Sequence, residues 1–171
     1  MILGFGYTGF VYLYVVLHLP NDYTFYEKRA VLVETSNLLT RLEAAPVIAA
    51  VKDDTGFEQS LRGDSEVIFL LYGDVLHINA MVERGRKAGK AIFVHVDLVD
   101  GLAAREAAVD FLASATHADG ILTTKPQLIR RARQRGLIAI QRCFLLDSMA
   151  LKNVEKHLNQ DKPDLLEILP G

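Results

Sequence analysis

The sequence lacks tryptophan, contains a single cysteine and has no large excess of either charge. One cysteine, Cys143, cannot form an internal disulfide, so nothing favours secretion and a reducing, cytoplasmic location is expected. The net charge of −2 excludes a chain that is basic overall, so any site for an anion or a nucleic acid must be local. What the sequence does contain is 171 residues, half of them hydrophobic, which is enough for one domain with a substantial core.

Residues 1–30 differ in composition from the rest, because no Lys, Arg, Asp or Glu occurs between Ile2 and Pro20. An apolar run of that length could span a bilayer, which needs roughly 20 residues. A cleaved signal peptide fits poorly, since no basic stretch precedes the run and no small-residue cleavage site follows it. Three interpretations stay open: translation that begins near Val31–Val33, a membrane anchor, or an accessory segment packed on the domain. No membrane partner is expected unless residues 2–20 are a true anchor, and residues 31–171 form the predicted domain.

Six short apolar runs recur from Ala44 onward, and each is continuous rather than alternating in polarity. Continuous runs are typical of parallel strands that are covered on both faces. The stretches between them are predicted to be helices, with a capping-box pattern at Thr55 and Glu58, and another helix is expected at Ser36–Ala44. Six such units predict an α/β fold, either a doubly wound sheet or a parallel (β/α)8 TIM barrel, and the pattern alone leaves both open. The predicted strands are Pro46–Val51, Val67–Tyr72, Ala91–Val96, Gly120–Thr124, Leu137–Gln141 and Leu165–Leu169.

Polar side chains gather at the carboxyl ends of these strands, where ligands bind in both candidate folds. An apolar strand has little reason to hold His95 or Glu167 unless these side chains face a polar opening. His95 and Asp97 are two residues apart, so both are expected to point to the same face of strand three. The alternative is that some of these groups pair inside the domain as structural contacts. The strand-end polar residues are Lys52–Asp54, Gly73–Asp74, His95, Asp97, Thr123–Lys125, Gln141, Arg142 and Glu167.

Seven segments together resemble the glycerol-3-phosphate-responsive transcription antiterminators of bacteria, also called glycerol uptake operon antiterminator regulators. The resemblance extends from about Leu38 to Gly171, and each segment alone would be a weak signal. The segments are PVIAAVKD (Pro46–Asp53), VIFLLYGD (Val67–Asp74), IFVHVDLVDGL (Ile92–Leu102), AAVDFLA (Ala107–Ala113), DGILTTK (Asp119–Lys125), IQRCFLLDS (Ile140–Ser148) and EILPG (Glu167–Gly171).

This resemblance implies a β/α barrel that senses glycerol 3-phosphate and binds the leader mRNA of glycerol-utilisation genes, so that transcription passes a terminator. It implies no catalytic activity and no cofactor, with glycerol 3-phosphate as the effector. A homo-oligomer is an open possibility. By the same resemblance, the residues that face the ligand opening are Lys52, Asp53, His95, Asp97, Lys125, Gln141, Arg142 and Glu167.

The family pattern continues beyond EILPG with two further strand–helix units, whose turns would hold a phosphate on backbone N–H groups. A barrel truncated after its sixth strand is therefore expected, with its first and sixth strands as open edges. On this basis we expect the 171-residue chain, made alone, to self-associate and to bind glycerol 3-phosphate without useful affinity.

The sequence offers one local candidate for an RNA contact. The segment KPQLIRRARQR, Lys125–Arg135, contains five cationic residues and no acidic one, and Pro126 suits the first turn of a helix. A helical wheel places its apolar residues on one face and the guanidiniums on the remainder, where they could contact phosphates. An ordinary solvated helix face is the competing interpretation. The candidate RNA-binding residues are Arg130, Arg131, Arg133 and Arg135.

A barrel enzyme that acts on a small phosphorylated metabolite is the main alternative function, since barrels support many activities. Acid–base chemistry could come from His95, Asp97, Lys52 and Glu167. A metal could be bound by His95, Asp97 and Glu167, although no compact metal-ligand motif is present. Cys143 follows Arg142 in an apolar run and is expected to be buried rather than nucleophilic. A membrane-tethered binding module is a third reading, and it depends entirely on residues 2–20.

Overall fold

The structure is a computed structural model that describes residues 36–145 and 158–170. The apolar segment at residues 2–20 lies outside these ranges. In the described ranges a helix precedes a regular alternation of strands and helices, and a 3-10 turn, Val96–Leu98, follows the third strand. The elements are α1 (36–44), β1 (Ile48–Val51), α2 (Asp54–Arg62), β2 (Val67–Leu70), α3 (Ile78–Lys87), β3 (Ala91–His95), α4 (Glu106–Ala115), β4 (Gly120–Thr123), α5 (Pro126–Gln134), β5 (Ile138–Leu145) and β6 (Leu165–Pro170).

The six strands form one sheet in the order β1-β2-β3-β4-β5-β6, and every neighbouring pair is parallel. A doubly wound sheet would reverse its strand order at a switch point, whereas a barrel adds each strand beside the one before it. The order therefore decides between the two predicted folds in favour of the barrel. The sheet is a curled half-barrel, as expected for a TIM-like barrel seen up to its sixth strand.

The two faces of the sheet pack against different partners, as successive side chains of a strand point to opposite sides. The inner face packs on Leu38 and Leu42 of α1, and the outer face packs on the remaining helices. The helix predicted before the first strand thus covers one end of the inner face. Buried inner residues are Val67, Phe69, Ala91, Phe93, Leu122, Ile138, Ile140 and Leu165, and buried outer residues of the strands include Ile68, Leu70, Ile92, Val94, Ile121 and Ala139.

Close contact between strands explains why β4 begins with glycine. A Cβ on Gly120 would lie 2.2 Å from the carbonyl oxygen of Ile138 and 2.6 Å from the Phe93 ring. The ring of Phe93 also meets Phe69 edge-on, with ring centroids 5.7 Å apart. Any side chain at position 120 would displace this aromatic layer, which lies directly beneath the polar end of the sheet.

The predicted strands are confirmed, with one instructive difference in length. Five of them begin and end within two residues of the predicted bounds, but β5 continues to Leu145 instead of ending at Gln141. The extension occurs because β5 pairs with β6 over six residue pairs, from Ile140 with Leu165 to Leu145 with Pro170. Arg142 is therefore a strand residue, and it is the register partner of Glu167.

Candidate functional site

His95, Arg142 and Glu167 lie together at the carboxyl ends of three strands, on the inner face. His95 is two residues after Phe93 in β3, and Arg142 is two residues after Ile140 in β5, so each shares the face of an inner core residue. Glu167 follows Leu165 in β6 in the same way. On each of these strands the inner face changes from apolar to polar side chains towards the carboxyl end, which creates a polar floor above an apolar core.

Arg142 and Glu167 form a buried, two-pronged ion pair. The Arg142 Nε donates to Glu167 Oε2 at 2.5 Å, and Nη2 donates to Oε1 at 3.0 Å. Only 9% of the arginine side chain and 1% of the glutamate side chain are exposed. Glu167 has both oxygens engaged by one guanidinium, while the guanidinium keeps three of its five N–H donors for other partners.

His95 is 2% exposed and stays neutral at physiological pH. Burial lowers the pKa of its imidazole to about 4, and the positive charge of Arg142 acts in the same direction. Its Nδ1 atom is one of two buried side-chain polar atoms without a hydrogen-bond partner in the described part of the chain. The nearest acidic atom is Asp97 Oδ2, at 3.9 Å, which is beyond hydrogen-bond distance.

Asp97 joins the loop after β3 to the end of β4. Its carboxylate accepts hydrogen bonds from the Thr123 hydroxyl at 3.1 Å, the Thr124 backbone N–H at 2.8 Å and the Thr124 hydroxyl at 3.1 Å. The expectation that Asp97 shares a strand face with His95 is wrong, because β3 ends at His95 and Asp97 lies in the 3-10 turn. The two side chains nevertheless approach each other, with His95 Nδ1 and Asp97 Oδ2 3.9 Å apart. Thr123 and Thr124 thus contact a candidate ligand residue, although the candidate set omitted them and they stand at the predicted strand end.

The remaining candidate ligand residues differ in position. Lys52 is exposed directly after β1, and Lys125 is half-buried at the start of α5. Asp53 is the N-cap of α2, where its carboxylate accepts from the Gly56 N–H at 2.7 Å, so the helix begins before the predicted capping box. Gln141 lies on the helix-facing side of β5 by its alternation with Ala139, opposite to Arg142, and its Oε1 is the second buried atom without a partner in the described residues.

The three candidate arginines of α5 and Arg135, its C-cap, all face carboxylates of the same chain. Arg131 donates to both oxygens of Asp110 at 2.9 and 2.8 Å, and Arg135 lies 3.3 Å from the same side chain. Arg131 holds the pKa of the Asp110 carboxyl below its usual range. The other two contact the turn before β6, where Arg130 pairs with Asp161 and Arg133 lies 3.9 Å from Asp164. Their charge is therefore largely offset within the fold, and an RNA contact through this helix stays a prediction.

Other kinds of site receive no support within the described ranges. No group of three or more His, Cys, Asp or Glu side chains is arranged to hold a metal ion there. No helix in residues 36–145 or 158–170 is long and apolar enough to cross a membrane. Cys143 is buried, and this burial raises the pKa of its thiol to about 11, which suits the packing role predicted for it.

A cavity of about 420 Å³ lies at the opposite end of the sheet from the polar floor. Its lining includes Arg41 of α1, Arg86 of α3 and the residues at which β3, β4 and β5 begin, such as Ala91. The carboxyl-end cluster is the better candidate for the ligand, because it contains buried polar atoms with unused hydrogen-bonding capacity.

Comparison with known proteins gives a consistent assignment. The family model for the glycerol-3-phosphate responsive antiterminator matches residues 47–171. The chain is 40% identical over 134 residues to the uncharacterized protein YgcP of Escherichia coli, a match that covers 78% of this chain and 70% of YgcP.

Two crystal structures have the same fold over most of the chain. The glycerol uptake operon antiterminator regulatory protein of Listeria monocytogenes is 34% identical with a TM-score of 0.69, and the match covers 72% of this chain and 67% of that one. A glycerol uptake operon antiterminator-related protein of Thermotoga maritima is 35% identical with a TM-score of 0.65, covering 72% and 70% of the two chains. On the family match and this shared fold, the chain belongs to the glycerol-3-phosphate responsive antiterminator family.

Proposed function

We propose that this protein regulates glycerol-utilisation genes by transcription antitermination, binding glycerol 3-phosphate at the carboxyl ends of its strands and the leader mRNA of those genes. The observation that carries the ligand site is the cluster of buried polar groups on the inner face, in which His95 Nδ1 has no partner. Buried polar atoms in folded proteins nearly always have a partner. A cleft that contains one without a partner, beside charged groups, is a favourable place for a polar ligand.

The charge of this cluster suits a small anionic polyol. Arg142 and Glu167 offset each other, so the floor is polar without a large net charge. Arg142 keeps three N–H donors that can reach an anionic oxygen. Lys52 and Lys125 follow β1 and β4 and add positive charge near the rim. A ligand with hydroxyls at one end and a phosphate at the other therefore suits this site. Its hydroxyls would meet the polar floor, and its phosphate would meet the positive charge near the rim.

Titration calorimetry tests the ligand directly. The 171-residue chain is titrated with glycerol 3-phosphate, glycerol and inorganic phosphate, beside a chain continued after Gly171 with the C-terminal residues of YgcP. We expect glycerol 3-phosphate to bind more tightly than either fragment, at least in the continued chain, which adds the segment where the family pattern predicts phosphate-binding turns. Absence of glycerol 3-phosphate binding in both chains would refute the proposed ligand.

A matched pair of variants locates the binding. Arg142→Gln should weaken binding of glycerol 3-phosphate by about tenfold or more, because a hydrogen bond to a charged group contributes roughly 1.5–3 kcal/mol. Arg62→Gln is the control, since Arg62 ends α2 and is 83% exposed at the opposite end of the sheet. Equal loss in both variants would indicate a general charge effect instead of a site at Arg142.

Filter binding to the leader transcripts of glycerol-utilisation genes tests the RNA part of the proposal. Glycerol 3-phosphate should raise the affinity for a leader that contains a terminator, because an effector and an RNA that favour the same state strengthen each other. Unchanged affinity with and without the effector would contradict an effector-dependent regulator. Incubation with phosphorylated trioses, followed by NMR, separates a regulator from an enzyme, because only an enzyme would consume them.

A further inference from the structure

His95 and Asp97 face each other across a gap that fits one oxygen atom. Their Nδ1 and Oδ2 atoms are 3.9 Å apart, too far for a direct hydrogen bond. An oxygen between them can lie about 2.8 Å from each atom, which is an ordinary hydrogen-bond distance. Both side chains have little exposure, 3% for His95 and 15% for Asp97, so few groups other than a bound ligand or water can enter the gap.

The two side chains also have hydrogen-bonding capacity left. A carboxylate offers about four acceptor positions, and three protons reach Asp97, from the Thr123 hydroxyl and from the N–H and hydroxyl of Thr124. Thr124 donates both of its protons to Oδ2, so the acceptor position that stays available is on Oδ1, which receives only the Thr123 hydroxyl. The neutral His95 ring has one donor and one acceptor nitrogen, and its Nδ1 contacts no hydrogen-bonding atom of the described residues.

The orientation of the carboxylate is fixed by the end of β4. The Thr124 backbone N–H is 2.8 Å from Oδ2, and the Thr123 hydroxyl reaches both carboxylate oxygens at 3.1 Å. His95 is held by strand pairing, since it is the register partner of Leu122 in β4. Both sides of the gap are thus attached to the same neighbouring strand, so the gap is preorganised.

We propose that His95 and Asp97 together bind one hydroxyl group of the ligand and make this site specific for a phosphorylated polyol over analogues that lack that hydroxyl. With the Nδ1–H tautomer, the imidazole donates to the hydroxyl oxygen and the hydroxyl donates to Asp97. A hydroxyl satisfies both demands at once. A methylene satisfies neither, and a carbonyl oxygen accepts from His95 but faces the carboxylate without a proton. The identity of the polyol rests on the proposed function, whereas the demand for a hydroxyl rests on the gap itself.

Calorimetry with analogues of glycerol 3-phosphate tests the specificity. The probes are 3-hydroxypropyl phosphate, which lacks the secondary hydroxyl, 2-hydroxypropyl phosphate, which lacks the terminal one, and dihydroxyacetone phosphate, which has a carbonyl at the central carbon. One of the two deoxy analogues should bind about 10- to 100-fold more weakly than glycerol 3-phosphate, because the missing hydroxyl leaves buried polar groups unsatisfied. If the secondary hydroxyl occupies the gap, the ketone should be discriminated against as well.

Three variants assign the effect to the gap. His95→Phe should bring the affinities for glycerol 3-phosphate and the discriminated analogue to within about twofold of each other, because the ring is kept and Nδ1 is removed. His95→Asn should restore part of the preference, since its amide group can occupy the place of Nδ1. His117→Asn is the control, since His117 is exposed beside the cavity at the other end of the sheet and its loss should leave the preference unchanged.

The outcomes separate this inference from the proposed function. If glycerol 3-phosphate and both deoxy analogues bind with equal affinity, the hydroxyl site is overturned and the ligand assignment stands. An analogue preference that persists in a folded His95→Phe protein, checked by circular dichroism, would also overturn it. Failure of glycerol 3-phosphate to bind either form of the chain would instead overturn the proposed function.

Discussion

Removing one partner of the Arg142–Glu167 ion pair should destabilise the protein far more than removing both. Glu167→Gln leaves the guanidinium of Arg142 buried beside an amide that cannot carry the opposing charge. The two hydrogen bonds of 2.5 and 3.0 Å and the 9% and 1% exposure of the side chains place the pair well inside the fold. Breaking a buried pair by removing one partner costs about 3–5 kcal/mol. A typical domain has only about 5–15 kcal/mol of stability, so the loss should be large.

The double variant Arg142→Met with Glu167→Met should recover most of that stability. Methionine fills much of the same volume, and replacing both members of a buried pair by apolar side chains is often neutral or stabilising. The pair is thus expected to serve the polar floor of the ligand site more than the stability of the sheet. Binding of glycerol 3-phosphate should fall in the double variant despite its stability, because the donors of Arg142 are gone.

Urea unfolding, followed by circular dichroism, measures the free energy of unfolding of both variants, with Glu58→Gln as the control. Glu58 forms an exposed pair with Arg84, and the side chains are 42% and 51% exposed, so its loss should cost about 1 kcal/mol or less. For a chain of this length, 3–5 kcal/mol corresponds to a fall of roughly 6–20 °C in Tm. A Glu167→Gln protein as stable as the Glu58→Gln protein would refute the assignment of a desolvated, coupled pair.

Four further results are expected. In the chain continued with the C-terminal residues of YgcP, Asp97→Ala should weaken binding of glycerol 3-phosphate by about tenfold or more in calorimetry; unchanged affinity would remove Asp97 from the site. For His95, the folded pKa of about 4 lies below the ordinary 6.5, so the unfolded chain binds the extra proton and stability falls as pH falls from 6.5 to 4. Urea unfolding across that range should show a smaller fall for His95→Gln than for the parent protein, and His117→Gln should behave like the parent. Reversing Arg131 and Arg135 to Glu should flatten the dependence of log RNA affinity on log salt by about one unit per lost phosphate contact; an unchanged slope would limit these arginines to pairing within the protein. The 171-residue chain made alone should self-associate, because the outer edges of β1 and β6 have no partner among the described residues; a monodisperse monomer in light scattering would contradict this.

The fold could be predicted from the sequence because its strands are short, continuous apolar runs with helices between them. The runs from Val67 and from Ala91 are buried on both sides, as their composition indicated. The hydrophobic pattern could not predict the order of the strands in the sheet, since a doubly wound sheet and a barrel use the same local units. The pattern also could not predict the length of β5, because Arg142 is held in the sheet by pairing with Glu167, 25 residues later.

Charge pairing shows the same limit on the outer surface. A helical wheel correctly separated the buried face of α5, with Leu128 and Ile129, from its arginines. It could not reveal that Arg131 of α5 reaches Asp110 of α4, because the two residues are 21 positions apart and lie on different helices. A helical wheel therefore identifies a basic helix face, but the electrostatic potential of that face depends on the acidic residues that the fold places beside it.

The His95–Asp97 pair shows why the place of a site can be predicted before its geometry. Two polar residues at the end of an apolar strand predicted a polar site, and the structure has buried polar side chains there. Their spacing of two predicted a shared strand face, which requires the strand to continue through both. It ends at His95, because the chain turns at Val96 and Asp97 is held by the hydrogen bonds of Thr123 and Thr124. Those threonines lie at the end of β4, so only the folded sheet determines that the two polar groups stand 3.9 Å apart, at the distance that one hydroxyl can bridge.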